Sequence, residues 1–392
     1  LSISHLVSLV HKSNKLMNII SNKKFVYDSQ IKLGKIKLSK FLIFLNGNGN
    51  ERYQKYFYLI KSDYLKPNMF HQYFKDLSRS NDVIWELYQK KYEYYKPTLV
   101  YVDGKYISNK KLQNMKCQIK NVIDDRKYAI ANKDNLYTNL KKKITNKSLD
   151  YLLEQYNINI KSPTKNFKDI FENKIWIMKP VGGFQGVAIK ILESYKEYLD
   201  YHTKMKKSKY ENWVLQEYIT KPLLLDKKKF HIRAYYLYHF NKEKQSFTYL
   251  YQIGKIFTAK KSYKNGDYYN KDIHDTHLDS TPKPLYFPRD FVKEYGKNRS
   301  QSIYKQMKDI CYDLKKCIDA KCFEESNECF NLFGLDLMIT NKYKVKLIEV
   351  NCKIGMGTYP GDKVDINKML FGDMMNIILG NKSKNNQFDI LE

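Results

Sequence analysis

The sequence predicts a mixed α/β protein built from α+β lobes, and three observations carry that reading. Short apolar runs with strand alternation recur between stretches with helical spacing, from residues 99–102 through 345–351. No GxGxxG fingerprint opens a helix after a strand, which sets aside the dinucleotide-binding doubly wound sheet. At 392 residues the chain is long enough for two or three packed units. Its hydrophobic share of 43%, with 35 Tyr and 20 Phe, supplies the cores and excludes a disordered chain. No apolar run reaches the roughly 18 residues needed to cross a bilayer, so no membrane span is expected.

Residues 1–16 precede Met17 and are expected to be an extension, with an apolar stretch too short for a secretory signal. Residues 17–114 read as a small α/β unit. In it, 31–44 alternates basic and apolar residues as paired strands do, and Asn46-Gly-Asn-Gly-Asn50 marks a turn. An aromatic-rich stretch at 82–95 reads as helical and 99–102 as a strand. Residues 115–220 form a second unit, Lys-rich and mainly helical to about 170. Strands follow at 175–178, 187–192 and 213–219. Residues 221–385 form a third, with strands at 230–240 and 247–257. A helix at 301–320 follows from the 3.6-residue spacing of Ile303, Met307, Ile310, Cys311, Leu314, Cys317 and Ile318. Strands at 330–339 and 345–351 form a hairpin across Thr340-Asn-Lys-Tyr343, a helix covers 366–379, and 386–392 is a polar tail.

The six cysteines show no CxxC pair and no zinc spacing, which predicts free thiols in a reducing, cytoplasmic setting. The 70 basic and 41 acidic residues leave a charge of +29. Attraction to a polyanion, either an acidic peptide tail or nucleic acid, is one reading. A coding bias towards Lys, Asn, Ile and Tyr is the other.

Three pieces carry chemistry. In Phe333-Gly-Leu-Asp-Leu-Met-Ile339, alternation puts Asp336 on the face opposite Phe333, Leu335, Leu337 and Ile339. In the partner strand Glu349 and Asn351 share a face, with Ile348 and Val350 pointing to the core. Three oxygen donors on adjacent strands suit Mg²⁺; a merely solvated polar face fits the same pattern. The second piece delivers Lys179 from a strand into a loop containing Gly182, Gly183 and Gly186, where backbone N–H groups can approach phosphate. A glycine-rich hairpin turn reads the same way. The third is the apolar strand ending at Gln216, then Glu217, Tyr218 and Ile219, an extended backbone able to bond an adenine edge. Beyond it, Lys229, His231 and Arg233 share one strand face, suited to a triphosphate or to solvent.

In this order the pieces resemble the tubulin–tyrosine ligase-like family. The matching blocks are 176–180, 216–224, 229–233, His277-Leu278, and Phe333-Gly-x-Asp336 running to Glu349-Val-Asn351, with Lys133-Asp-Asn-Leu upstream. The resemblance covers about residues 120–375. It implies an ATP-grasp fold in which 115–220 and 221–385 are the central and C-terminal lobes. It further implies Lys133, Lys179, Gly182, Gly183, Gln185 and Gly186 at the phosphates, and Gln216 through Ile219 with Lys229 at adenine. His231 would stand beside the nucleotide, Arg233 at the transferring phosphoryl group, and Asp336, Glu349 and Asn351 on Mg²⁺. The implied reaction joins an amino acid to a protein carboxylate, with ATP as co-substrate and an acidic, tubulin-like tail as acceptor. The implied setting is cytoplasmic and near the cytoskeleton.

The chain also departs from the family. His231 stands where Asp is usual, Gln185 where Arg or Lys is usual, and Ala188 where Gly is usual. Phe257 occupies the region of a second arginine, Cys352 follows Asn351 where Pro is common, and Asp279-Ser280 follows His277-Leu278. These departures motivate an alternative expectation, a nucleotide-binding relative without turnover.

Overall fold

The apolar run Trp213–Leu215 and the alternation of Phe230, Ile232 and Ala234 with polar residues lie in strands that become the centres of two separate sheets. A computed structural model describes residues 128–183, 188–276, 284–318, 328–352, 354, 366–381, 383 and 385–391, with short pieces at 32–33, 36–37, 54–62, 73–75, 83–87, 99–103 and 119–121. The chain divides into two compact units, 1–57 with 72–86, and 58–71 with 87–392.

In the first unit β1 (Lys32–Leu33) and β2 (Ile36–Lys37) pair antiparallel. β3 (Gln54–Ser62) begins there, and β4 (Val83–Leu87) is a strand where a helix was expected. Val83, Ile84 and Trp85 are β-branched or aromatic, and that local preference prevails over the helical reading.

In the second unit, Tyr58–Ser62 of β3 runs parallel to β5 (Leu99–Asp103), which continues to β6 (Ile119–Lys120). Helices α1 (Tyr128–Ala131) and α2 (Lys133–Lys143) lead into β7 (Gln155–Asn159). This strand corrects the mainly helical expectation for that region. Its polar residues resemble a loop, but pairing of Gln155–Asn159 with Gln216–Asn212 of β10 imposes extension. The first sheet has the order β7-β10-β8-β9, with β8 at Trp176–Pro180, β9 at Lys190–Leu192 and β10 at Asn212–Glu217. Helix α3 (Tyr195–Met205) covers it. Ser194 caps that helix by accepting from the Glu197 N–H. Trp176, Met178, Trp213 and Leu215 from the sheet meet Tyr198 and Tyr201 in one core.

The second sheet is centred on β12 (Lys228–Phe240), with β11 (Leu224–Leu225) paired at its start. One region expected as a single strand, 247–257, is two, β13 (Ser246–Tyr251) and β14 (Gly254–Ser262), pairing with opposite ends of β12. Helix α4 (Lys271–His274) and strand β15 (Leu285–Phe287) follow. Gly296, at φ 81°, ends α5 (Arg289–Tyr295) before α6 (Lys297–Cys317). A side chain would strain that left-handed turn. Strands β16 (Glu328–Ile339) and β17 (Val345–Asn351) form the expected hairpin, and α7 (Ile366–Ile378) follows. The expected polar tail contains β18 (Phe388–Leu391), which pairs with β13 and buries Phe388 and Leu391.

Ile303, Met307, Ile310 and Leu314 of α6 pack on Phe230, Ile232, Phe333, Leu335 and Leu337, with Leu136 and Leu140 of α2 joining the cluster. Ile310→Ala, at a fully buried position, is expected to lower unfolding stability by about 2–5 kcal/mol in urea titration. Cys311, Cys317 and Cys352 are free thiols. Cys329 is disulfide-bonded, so the expectation of six free thiols fails there.

Candidate active site

Strand register brings the sequence-predicted charges together. Arg233 on β12 is the cross-strand partner of Asp336 on β16, and Asp336 is the partner of Glu349 on β17. Gly334 is likewise opposite Asn351. The hairpin contains a bulge, because Asp336 opposes Glu349 while Leu337 opposes Leu347. Ile348 is the extra residue. It does not join Val350 in the main core as expected, but packs with Leu153, Ile219 and Met338 on the other face. The bulge changes the phase of alternation, so Val345 and Leu347 reach the core and Glu349 and Asn351 still face the site.

Arg233 forks onto Asp336, with Nε on Oδ1 and Nη2 on Oδ2 at 2.9 Å. Asn351 Nδ2 donates to Asp336 Oδ2 at 3.2 Å and to Glu349 Oε1 at 3.3 Å. From the first residue of α2, Lys133 Nζ lies 3.1 Å from Glu349 Oε2 and donates to the Gly183 carbonyl at 3.3 Å. Buried Lys179 donates to Gln216 Oε1 at 2.9 Å. Gln216 Nε2 in turn donates to Gln155 Oε1 at 3.0 Å, and Gln155 Nε2 to the Lys133 carbonyl at 2.9 Å. Gln155 was not anticipated; its signal lay in the pairing of β7 with β10.

Burial sets the charge states, modified by neighbours. It pulls the Lys179 ammonium down to about 8, against the opposing effect of Glu349. Burial raises the Asp336 carboxyl, and Arg233 only partly offsets this. For Glu349 burial acts upward too, but Lys133 and Lys179 outweigh it and hold the carboxyl well below its usual range.

The expected adenine segment crosses between the sheets. The Glu217 N–H donates to the Glu154 carbonyl and the Tyr218 N–H to the Ile175 carbonyl, both at 2.8 Å, while Ile219 joins the apolar cluster. Lys229, fully enclosed, donates to the Tyr218 hydroxyl at 2.6 Å, and that oxygen lies 2.8 Å from His274 Nδ1. His231 Nδ1 is 2.6 Å from Thr276 Oγ1, and its ring stacks on its cross-strand partner Phe257 at 4.9 Å and 14°. His231 Nε2 is 3.9 Å from Asp336 Oδ1. His274, the last residue of α4, and Thr276 just beyond it are both buried. Gly182 and Gly183 follow β8, and Gly183 accepts from Lys133, whereas Gln185, Gly186 and the His277-Leu278 pair lie outside the described residues.

Gly334 is required by close approach. An added Cβ would meet Ile354 and would lie 2.8 Å from Arg233 Cδ. Gly334→Ala is expected to displace Arg233 from Asp336 and to lower unfolding stability by about 1–3 kcal/mol in urea titration.

Among the described residues no group of three or more His, Cys, Asp or Glu could hold a metal. The donor set is instead two carboxylates and one carboxamide, Asp336, Glu349 and Asn351. A buried carboxylate, Asp336, and a half-buried one, Glu349, sharing one Asn are hard oxygen donors that fit Mg²⁺, with Arg233 and Lys133 balancing their charge in this structure.

The two sheets, with charged side chains meeting at Glu349, form the fold of an ATP-grasp protein. The solved C-terminal domain of K. lactis Pby1, an ATP-grasp enzyme interacting with the mRNA decapping enzyme Dcp2, superposes with a TM-score of 0.61. The likeness covers 86% of this chain and 99% of that one at 18% identity. The model of the tubulin-tyrosine ligase family matches residues 110–386, and the chain belongs to that family of ATP-grasp ligases. It is similar to the probable tubulin polyglutamylase ttll-9 of Caenorhabditis elegans, 23% identical over 67% of this chain and 70% of that protein. It also resembles a probable tubulin–tyrosine ligase of Schizosaccharomyces pombe, at 25% over 52% and 57%, and mouse tubulin polyglutamylase TTLL6, at 28% over 54% and 28%. The chain thus spans from about a quarter to about two thirds of these relatives' lengths.

Proposed function

We propose that the chain is an ATP-dependent carboxylate–amine ligase that adds an amino acid to an acidic protein tail. The observation that carries this reading is the convergence of Lys133, Lys179 and Arg233 on the Asp336–Glu349–Asn351 face. Three cations beside hard oxygen donors suit a triphosphate whose charge must be balanced while one phosphoryl group moves. Asp336, Glu349 and Asn351 would hold Mg²⁺, whose positive charge would help offset the charge of the phosphates.

In the proposed reaction the acceptor carboxylate attacks the γ-phosphorus, giving an acyl phosphate and ADP. An amine then attacks the acyl carbon, phosphate leaves, and an amide bond remains. Arg233, once released from its fork on Asp336, is placed to neutralise the transferring group. The +29 charge supports an acidic acceptor. Tubulin as that acceptor, a cytoplasmic setting near the cytoskeleton, and the amino acid added all belong to this proposal.

A second reading, nucleotide binding without turnover, is motivated by the His231–Phe257 stack in place of a charged pair. Incubation with Mg·ATP, tubulin and radiolabelled Tyr, Glu or Gly separates the two. ATP-dependent label in protein supports the ligase. A nucleotide-induced rise in Tm with no label on any acidic acceptor supports the second reading.

A further inference from the structure

We propose that His274 is a positioning residue for the nucleotide site, acting through the Tyr218 hydroxyl to orient the Lys229 ammonium. This deepens the ligase reading and rests on it.

An ammonium has three donors and no acceptor, so Lys229 at 2.6 Å must donate to the Tyr218 oxygen. That oxygen carries one proton of its own. With a lone pair committed to Lys229, its proton is directed at the remaining neighbour, His274 Nδ1 at 2.8 Å. The arrangement gives His274 the neutral tautomer with Nδ1 unprotonated and the proton on Nε2. A proton on Nδ1 would leave the Tyr218 proton without this acceptor, and a ring protonated at both nitrogens would add a second cation beside Lys229 in an enclosed space.

The surroundings enforce this arrangement. The Lys229 ammonium also lies 4.4 Å from the centre of the same Tyr218 ring. The His274 ring is walled by Tyr218 at 5.9 Å, Tyr263 at 5.5 Å and Tyr268 at 5.3 Å. Tyr263 donates to the Thr220 carbonyl at 2.7 Å, tying this wall to the segment that continues from Ile219. The charged groups acting here are Asp275 on Lys229, and Asp267 with Lys229 on His274. Burial, aided by Lys229, holds His274 down at about 4, and burial draws Lys229 down to about 7. With one N–H held by Tyr218, Lys229 has two donors left for an anionic or purine ligand. His274 decides which way they point, because it decides which way the Tyr218 proton points.

The test measures Mg·ATP dissociation constants by calorimetry between pH 6 and 8.5. It compares wild type, Tyr218→Phe, His274→Phe and His274→Asn, with steady-state kinetics alongside. In wild type, affinity is expected to weaken as pH rises through the Lys229 range. Tyr218→Phe and His274→Phe keep the rings but break the relay. Each is expected to weaken binding about tenfold at neutral pH, move that midpoint to lower pH, and leave kcat within about twofold. His274→Asn offers a carboxamide oxygen at the Nδ1 position and is expected to restore both values.

Wild-type affinity and midpoint in His274→Phe overturn the positioning role while leaving the ligase reading intact. So does an Asn variant as impaired as the Phe variant. If His274→Phe fails to fold, Tyr218→Phe decides in the same way. Absence of Mg·ATP binding by the wild type overturns the ligase reading and the positioning role together.

Discussion

Glu349→Gln is expected to abolish ATP-dependent turnover, by about 100-fold or more, while the protein still folds. The substitution keeps shape and volume but removes one negative charge from a face where Lys133, Lys179 and Arg233 converge. Asp336 then stands alone as an anion, already forked by Arg233. Under the proposed reading a divalent cation loses one of its two charged ligands. The variant also carries a stability signature. Because the folded carboxyl titrates below its unfolded range, the ionised Glu349 stabilises the fold at pH values above the ordinary Glu range. That contribution fades as pH falls from there towards the folded value. Glu349→Gln is therefore expected to be less stable than wild type at pH 7, with the gap closing on acidification. Turnover assays and Tm measured from pH 7 to 3 check both halves. Wild-type turnover in the variant removes Glu349 from the proposed metal set.

Lys229→Met is expected to move stability and function in opposite directions. A buried ammonium drawn from 10.5 to about 7 destabilises the fold, and a shift of that size is on the order of 4 kcal/mol. Its folded pKa lies below its unfolded one, so the destabilisation is complete below pH 7. It is relieved as pH rises from about 7 towards 10.5, where the unfolded chain alone still binds the proton. Methionine fills the same space without a charge and leaves the Tyr218–His274 hydrogen bond in place. The variant should melt above wild type at pH 6.5, and the gap should narrow by pH 9.5. Mg·ATP affinity should fall by at least about tenfold, since two donors are lost from an enclosed site. A variant that melts lower and binds nucleotide normally contradicts the assignment of Lys229.

The site's charged face was legible for a local reason. Alternation along β12 and β16 places Lys229, His231 and Arg233 on one side and Asp336 on one side, whatever the rest of the chain does. The β17 half was legible only in outcome. Strict alternation puts Ile348 with Val350, and the bulge moves Ile348 away while keeping Glu349 and Asn351 in place. Some signals were present and unread. Ser194-Tyr-Lys-Glu197 is a helix-start pattern, and it begins α3. Others had no local form. Gln155 in a polar stretch looks like loop until β10 pairs with it, and the 386–392 tail looks like solvent until β13 takes up β18.

The sequence by itself determined the mixed α/β class, the α6 amphipathic helix, the β16–β17 hairpin and the polar residues that face away from its core. Each of these depends on periodicity or on turns within a few residues, which the chain carries locally. Only the tertiary structure decided that Asp336 sits between Arg233 and Glu349, that Lys133 reaches Glu349 from more than 200 positions away, and that His274 meets Tyr218 and Lys229. Those meetings depend on strand register and on burial shared between distant segments. A residue's own neighbours in sequence encode neither.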